Sequence, residues 1–378
     1  MSNIVVVSHV PIGIGAKRIL NPGFVRIMEG YSECWEKVYV VGPSADRQQG
    51  VHVSEHADNI ILIALKGYEK SLWSRIRFVL YYRYKNASFL NANLNLQAGD
   101  IIQIRYPSLY TLFLSYSIST GLCKKVFYIA GDGVEAAKFN RKVILPFARL
   151  LNSLERRSVR NCKVATTGPS LAEQYRSVAL EVHPYFSTTH TQVARRRPRE
   201  AVVNILYVGT FERRKRVVDL LHAFTKLSNH NFACKLLGDG VENESLQKLA
   251  TELDFGDNTL KFMGYIHDKK ELRSYYDWAD ILVLPSLSEG TPRVLPEAMS
   301  HGVIPIAIKG VASNDFVITE GLNGMLVSPK SPDDIASTIL QIASSKKLYT
   351  TLLDGVYDYA VERSLPKELA KLYEFYHS

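Results

Sequence analysis

The sequence has few cysteines, no long apolar run and no low-complexity block. Only 4 of its 378 residues are cysteine, and their scattered spacing indicates neither a disulfide framework nor a zinc site. No stretch is long and apolar enough to predict a transmembrane helix. The first residues also lack the basic region and the small-residue cleavage site of a signal peptide. These absences predict a cytoplasmic protein and argue against a secreted disulfide scaffold or a membrane-spanning protein.

What the chain does have is a globular composition and an excess of positive charge. Hydrophobic residues make up 46% of it and charged residues 22%, and its length suits two domains. The net charge of +9 points to an anionic partner, and nucleic acid, anionic lipid and phosphorylated substrates all qualify. The arginine-rich stretch 195–199 has no interleaved aromatic residue for base stacking, and no nucleic-acid-binding motif occurs. We therefore expect no nucleic-acid partner.

Strand–helix alternation organises both halves of the chain. Two short β-branched runs, 3–7 and 204–208, each lead into a glycine-containing turn and a helical pattern. Further strands are predicted at 38–41, 60–64, 101–104, 126–129, 164–166, 233–237, 260–263, 281–284 and 303–308. The pattern predicts an α/β protein with two Rossmann-like domains in tandem. The predicted parts are a first domain at 1–186, a linker at 187–202, a second domain at 203–360 and a C-terminal helix at 361–378 that packs back toward the first domain.

The most specific motif places Glu289 and Glu297 on either side of a predicted helix start. Glu289 follows a buried strand in a short loop, and Glu297 lies about one turn into a helix that begins near Pro292 or Arg293. The unpaired N–H groups and the positive dipole end of such a helix suit a phosphate. Two carboxylates that flank a phosphate site suit the hydroxyl groups of a sugar and a ribose. A lone surface glutamate would be a solvated side chain, but the placement of this pair favours a ligand site.

This pattern resembles the retaining glycosyltransferases of the GT-B fold, glycosyltransferase family four (group 1), most closely over residues 203–332. The resemblance implies two Rossmann-like domains with a donor-binding interdomain cleft, retention of configuration at the sugar, and no metal or cofactor. It implies that Glu289 approaches the donor sugar and that Glu297 binds the nucleotide ribose. The expected diphosphate ligands are the backbone groups of Gly290, Thr291, Pro292, Arg293, Val294 and Leu295.

A basic loop at 208–216 is a second match to this family. Its members commonly carry an arginine directly after the glycine and a lysine five residues later. Lys215 falls on the lysine position, whereas Thr210 stands where the arginine is expected. Positive charge is needed there because the leaving diphosphate gains charge in the transition state. We therefore expect Lys215 to act in catalysis and Arg213 or Arg214 to supply the second cation; a solvated basic turn is the alternative.

Two glycine-containing loops in the first half complete the predicted site. The loop that carries Gly15 begins like a dinucleotide-binding fingerprint, but Arg18 replaces its third glycine, which weighs against a dehydrogenase. It resembles the glycine-bearing loop of the glycosyltransferase family, in which Gly15 would let the donor phosphate or the acceptor approach the backbone. Asp132 stands in the region where family members often have a histidine, and we expect it to contact the reacting sugar or the acceptor. We interpret the glycine turn at 238–240 as structural.

The sequence thus predicts transfer of a hexose-type sugar from a UDP- or GDP-sugar to a glycan or lipid-linked glycan acceptor, in surface glycan or glycolipid assembly. Two alternatives remain: a non-hydrolysing sugar-nucleotide epimerase, and a catalytically silent GT-B-like binding protein, which the unexpected Thr210 motivates.

A basic stretch at 66–85 indicates a peripheral position at the inner face of a membrane. It has six basic residues and one acid, Glu69. On one helical face it also carries Leu72, Trp73, Ile76, Val79 and Leu80. This pattern is typical of helices that lie on anionic membranes. The alternative is that the apolar face packs inside the first domain. His52 and His56 have a spacing that occurs in zinc sites, but they lie in a predicted loop, and we expect no metal there.

Overall fold

The chain forms two compact α/β units. A computed structural model describes residues 2–13, 22–45, 50–67, 72–118, 121–134, 145–186, 188–196, 203–227, 232–255, 259–289 and 292–378. The first unit comprises Met1–Thr189 and Leu365–Ser378, and the second comprises His190–Ser364. Each unit has its own, mainly parallel sheet, so the predicted fold class is confirmed.

The first unit is built on an eight-stranded sheet with the order β3-β4-β2-β1-β5-β6-β7-β8. Its strands are β1 Ile4–Val7, β2 Val38–Pro43, β3 Gly50–Val53, β4 Ile60–Leu65, β5 Ile101–Tyr106, β6 Lys124–Ile129, β7 Lys163–Thr167 and β8 Glu181–Tyr185. Every neighbouring pair is parallel except β3 with β4. The central strands are buried on both faces because helices cover both, which explains their continuous β-branched runs.

Helices on both faces complete the core of the first unit. They are α1 Pro22–Cys34, α2 Leu72–Arg77, a π-helical turn Phe78–Tyr82, α3 Arg83–Asn93, α4 Leu109–Ser115, α5 Leu145–Ser158, α6 Pro169–Tyr175 and, at the end of the chain, α14 Leu365–His377. The buried amide of Gln103 on β5 donates hydrogen bonds to the hydroxyl groups of Tyr31 on α1 and Tyr376 on α14. This contact ties the last helix of the chain to the first sheet.

The second unit has a six-stranded, fully parallel sheet with the order β11-β10-β9-β12-β13-β14. Its strands are β9 Val203–Val208, β10 Phe232–Leu237, β11 Leu260–Gly264, β12 Ile281–Leu284, β13 Ile304–Ile308 and β14 Met325–Val327. Its helices are a 3₁₀ turn Arg213–Lys215, α7 Val217–Thr225, α8 Asn243–Glu252, α9 Lys269–Trp278, α10 Val294–Ser300, α11 Ala312–Val317, α12 Pro332–Ser344 and α13 Lys346–Glu362.

Part of the stretch that the sequence analysis treated as a linker packs against the second unit. The amide of Ala194 donates to the carbonyl oxygen of Ser300, and the guanidinium group of Arg196 donates to the carbonyl oxygens of Tyr276 and Ala279. Residues 187 and 197–202 lie outside the described residues.

The stretch 66–85 differs from the single amphipathic helix that its pattern predicted. Helices α2 and α3 are joined by the π-helical turn, which shifts the faces of the residues after it. Phe78 is fully buried, whereas the side chains of Trp73, Ile76 and Leu80 remain exposed. Three of the five residues on the predicted apolar face are therefore not enclosed in the core, whereas Val79 is partly buried against it. Residues 68–71 lie outside the described part of the chain.

Candidate functional site

The strand order of the second sheet identifies the edge at which a ligand would bind. From the central strand β9 the chain proceeds to β10 and β11 on one side, then crosses to β12 on the other side of β9. The loops that follow β9 and β12 therefore leave the sheet in opposite directions and open a crevice at its carboxyl edge. These two loops are the ones in which the sequence analysis placed Lys215 and Glu289.

Lys215 and Glu289 meet at this crevice, although 74 residues separate them in the sequence. The Nζ atom of Lys215 lies 2.6 Å from Oε1 of Glu289, and the two side chains are only 12% and 8% exposed. A 3₁₀ turn directs Lys215 inward, and Arg216 follows it in the left-handed conformation with φ 53° before helix α7 begins. The loops also join through their backbones, because the amide of Leu287 donates to the carbonyl oxygen of Arg214.

The two arginines before Lys215 have different surroundings. Arg214 donates from Nε to Glu212 at 2.8 Å and from a terminal nitrogen to the carbonyl oxygen of Ser288 at 3.1 Å, so it braces the two loops. Arg213 is exposed. As a second cation for a bound anion, Arg213 therefore has the more open position, while Arg214 already has two acceptors.

Sequence reasoning missed Glu212. Thr210, which replaces the expected arginine, donates from its hydroxyl group to Glu212 at 3.0 Å. Desolvation alone would raise the pKa of Glu212, but the hydrogen bonds from Thr210 and Arg214 hold this pKa below its usual value. The signal was present in the sequence, since a carboxylate two residues after Thr210 and two before Arg214 suits a local hydrogen-bonded turn.

Glu297 lies on the short helix α10, beside a buried tyrosine. The hydroxyl group of Tyr276 donates to Oε2 of Glu297 at 3.4 Å. Burial, and then the charge of Glu297, raise the pKa of Tyr276 well above its usual value, so this hydroxyl group keeps its proton. The ring of Tyr276 also stacks on His301, with 5.4 Å between the ring centroids. Helix α9, which carries Tyr276, thus holds Glu297 in place.

The structure narrows the set of backbone groups expected to hold a diphosphate. Pro292 has no amide hydrogen, and the amide of Leu295 donates to the carbonyl oxygen of Pro292 within the turn. The amides of Arg293 and Val294 remain the candidates from that set. Gly290 and Thr291 lie outside the described residues.

In the first unit the predicted residues are more dispersed. Asp132 follows β6, where its Oδ1 accepts from the amide of Val134 at 2.8 Å and its Oδ2 from Gln174 at 3.3 Å. Nearby, burial raises the pKa of Glu155 to about 7, with a smaller contribution from the charge of Asp132. The loop that carries Gly15 is outside the described residues.

Across the part of the chain that the structure describes, no three His, Cys, Asp or Glu side chains form a group that could hold a metal ion. None of the helices in that part is both long and apolar enough to cross a bilayer. His52 belongs to strand β3, not to the predicted loop, and the Nδ1 atom of His56 lies 3.2 Å from a carboxylate oxygen of Glu29.

Comparison with known proteins agrees with this geometry. The chain is 29% identical over 146 residues to the lipopolysaccharide 1,6-galactosyltransferase of Salmonella typhimurium. The matched region is 38% of this chain and 40% of that relative. The chain also spans less than half the length of three further curated relatives. Sucrose-phosphate synthase of Thermosynechococcus elongatus has a TM-score of 0.71 at 19% identity, over 99% and 98% of the two chains. An Anabaena protein in complex with UDP has a TM-score of 0.68 at 12% identity, over 98% and 99%.

The sequence profile described as "Glycosyl transferases group 1" matches residues 191–354, which is nearly all of the second unit and includes Lys215, Glu289 and Glu297. The structural neighbours at these identities establish the fold of the whole chain. The protein therefore has the GT-B fold, and its residues 191–354 form a domain of the group 1 glycosyltransferase family.

Proposed function

We propose that the protein transfers a hexose-type sugar from a UDP- or GDP-sugar to a hydroxyl group of an acceptor, with retention of configuration. The observation that carries this proposal is the contact between Lys215 and Glu289 at the crevice of the second sheet. A buried lysine and a carboxylate at the carboxyl edge of a parallel sheet form a site for a ligand that has both an anionic group and hydroxyl groups. A nucleotide diphosphate sugar is such a ligand.

In this proposal each residue has a separate task. Lys215, with Arg213 or Arg214, neutralises the diphosphate as it leaves, and the amides of Arg293 and Val294 donate to its oxygens. Glu297, held by Tyr276, accepts from the ribose hydroxyl groups. Glu289 contacts the donor sugar. An oxygen of the leaving phosphate accepts the proton of the acceptor hydroxyl group, so the chain supplies no covalent nucleophile.

The proposal is tested by measuring which nucleotide stabilises the protein. We expect UDP or GDP, but not ADP, in the presence of EDTA, to raise the melting temperature by about 5 °C or more at a hundredfold excess over its Kd. Metal is not needed because lysine, arginine and backbone amides carry the positive potential. No shift with UDP or GDP, or a shift that appears only when magnesium or manganese is restored, would contradict this donor site.

Measuring turnover then distinguishes a transferase from the two alternatives, an epimerase and a silent binding protein. A transferase consumes the nucleotide sugar and releases the nucleoside diphosphate when an acceptor is present. An epimerase interconverts the sugar on its nucleotide without an acceptor, and a silent binding protein shows the shift in melting temperature with no turnover.

We further propose that the acceptor is a glycan or lipid-linked glycan at an anionic membrane. The lipopolysaccharide galactosyltransferase similarity supports the acceptor class. A surface of the first unit supports contact with a membrane. Trp73 and Leu80 are 79% and 69% exposed there, in a stretch whose cations lie over tyrosine rings. These cation–ring contacts are Arg77 over Tyr82, Arg83 over Tyr84 and Lys85 over Tyr81. Exposed apolar side chains among cations and tyrosines suit an anionic bilayer interface.

The double variant Trp73→Ser/Leu80→Ser should reduce binding to phosphatidylglycerol vesicles by about a hundredfold. Withdrawing these two side chains from the interface forfeits about 3 kcal/mol of apolar burial. Vesicle co-sedimentation at low salt measures the effect. Leu180→Ser is the matched control, because Leu180 is also 69% exposed but lies on another part of the unit. Equal loss in the control, or equal binding by the double variant and the parent, would refute this membrane contact.

A further inference from the structure

The first unit contains a buried cation that nothing in the proposed mechanism uses. Arg105, the next-to-last residue of β5, is only 9% exposed. One terminal nitrogen of its guanidinium group is fully buried and has no hydrogen-bond partner among the residues that the structure describes. None of the ion pairs among the described residues includes Arg105. A buried, unpaired charge costs several kcal/mol, so a fold that retains one favours a ligand of opposite charge.

The position of Arg105 in the sheet is the position at which a ligand is expected. From β1 the chain proceeds to β2, β3 and β4 on one side, then crosses to β5 on the other side of β1. The crevice of the first sheet therefore opens between β1 and β5 at their carboxyl ends. In the register of these strands Val7 lies opposite Ile104, so Arg105 stands at the mouth of the crevice. Lys215 and Glu289 occupy the equivalent crevice of the second sheet.

The neighbours of Arg105 stabilise its charge without accepting its hydrogen bonds. Its guanidinium carbon lies 4.2 Å from the ring centroid of Tyr128 and 5.3 Å from that of Phe24. Aromatic rings contact the faces of a guanidinium group and leave the N–H donors in its plane for a ligand. Such a planar fork matches the oxygens of a carboxylate or a phosphate.

The tyrosines around Arg105 supply no negative charge. Burial keeps Tyr31, Tyr185 and Tyr376 protonated, since the pKa of each hydroxyl group is raised above its usual value. His9, which follows β1, is open to solvent, and partial desolvation followed by the charge of Arg105 lowers its pKa. A neutral imidazole and protonated tyrosines beside Arg105 leave the mouth of this crevice with hydrogen-bonding groups and the positive charge of Arg105.

We propose that Arg105 binds an oxyanion, a phosphate or a carboxylate, that the sugar acceptor carries. This inference rests on the proposed function, because it assigns the donor diphosphate to Lys215 in the second unit and so leaves this cation for the acceptor. The protein then selects acidic acceptors, such as phosphorylated sugars or uronic acids, over neutral ones. A bidentate contact to a charged group contributes about 1.5 to 3 kcal/mol, which is roughly a ten- to hundredfold preference.

Calorimetric titration of the full chain with three probes tests the proposal: glucose 6-phosphate, glucuronate and glucose. We expect at least one acidic probe to bind ten times more tightly than glucose, and the better of the two distinguishes phosphate from carboxylate. Arg105→Gln should remove this preference. Arg156→Gln is the matched control, because Arg156 also lies over a tyrosine ring, that of Tyr175 at 5.5 Å, in the same unit. Equal affinity for all three probes, no binding of either acidic probe, or an unchanged preference in Arg105→Gln would overturn the proposal.

A stability measurement distinguishes this site from a structural role. Without ligand, Arg105→Met should raise the melting temperature, because it removes a buried charge that has no anionic partner among the described residues; a fall of several degrees would assign Arg105 to the core and overturn the proposal. If a nucleotide raises the melting temperature of both the parent and Arg105→Gln while neither acidic probe binds, only this inference fails. If no nucleotide binds, the proposed function fails, and the preference for acidic probes is still read directly.

Discussion

Glu289→Gln should slow sugar transfer by at least a hundredfold and, at the same time, tighten the binding of the nucleoside diphosphate. The carboxylate of Glu289 accepts a 2.6 Å hydrogen bond from Lys215 in a site where both side chains are largely buried. Without a ligand, Lys215 is therefore neutralised by Glu289, and a diphosphate must compete for it. A glutamine of the same shape removes that competition but also removes the charge that the donor sugar meets. Loss of a transition-state contact of about 3 kcal/mol corresponds to about a hundredfold in rate.

Both the rate of transfer and the affinity for the nucleoside diphosphate are measured on this variant. A damaged site would lose both, whereas the prediction is a slower rate with tighter binding. The rate is followed by release of the nucleoside diphosphate, and its affinity by calorimetry. Glu212→Gln is the matched control. Like Glu289, Glu212 is a loop carboxylate that pairs with a cation, in this case Arg214, but its side chain is 41% exposed. We expect its rate to change less than tenfold. If Glu289→Gln turns over like the parent, or binds the diphosphate more weakly, the proposed roles of Lys215 and Glu289 are wrong.

The parallel sheets were predictable because their strands are buried on both faces. Runs such as 3–7 and 281–284 are continuous and rich in β-branched residues, and the structure places β1 and β12 there. The contact between Lys215 and Glu289 was not predictable from spacing alone. It depends on the parallel pairing of β9 with β12, which brings loops from distant parts of the sequence to one edge.

Two of the missed strands, β3 and β8, lack a continuous apolar run. Strand β3 alternates between exposed and partly buried positions at the sheet edge, so His52 was wrongly placed in a loop. Strand β8 lies at the other edge and carries Pro184, which only an edge strand tolerates. The π-helical turn at Phe78 was also missed, because its extra residue changes the helical phase without any proline or glycine to mark it.

Arg105 was missed because it directly follows the predicted strand 101–104 and lies outside any motif. The strand Ile101–Tyr106 does hold a signal, since Gln103 and Arg105 alternate with isoleucine in an element that is otherwise apolar. Polar residues in a doubly covered strand need partners. Gln103 has two tyrosine hydroxyl groups, whereas the buried nitrogen of Arg105 has none among the described residues.

Gly238→Ala should destabilise the second unit by about 4 kcal/mol, because at this position the backbone of one loop touches that of another. Gly238 has φ 145°, and a Cβ atom there would overlap the carbonyl oxygen of Gly209. Strain at this φ adds to the cost of moving a backbone group, and together they exceed an ordinary core substitution. The displaced loop is the one that leads to Lys215, so the shift in melting temperature caused by the nucleotide should also decrease.

Gly264→Ala is the matched control for the close approach. Gly264 ends the neighbouring strand β11 and accepts a hydrogen bond from the amide of Gly238, and it too has a positive φ, 71°. A Cβ atom at Gly264 meets no atom within 4 Å, so only the backbone strain remains, about 1 kcal/mol. Thermal unfolding of both variants isolates the contact between Gly238 and Gly209 from the strain that they share. Equal destabilisation of the two variants would mean that the loops do not touch, and that the position of Lys215 does not depend on the turn after β10.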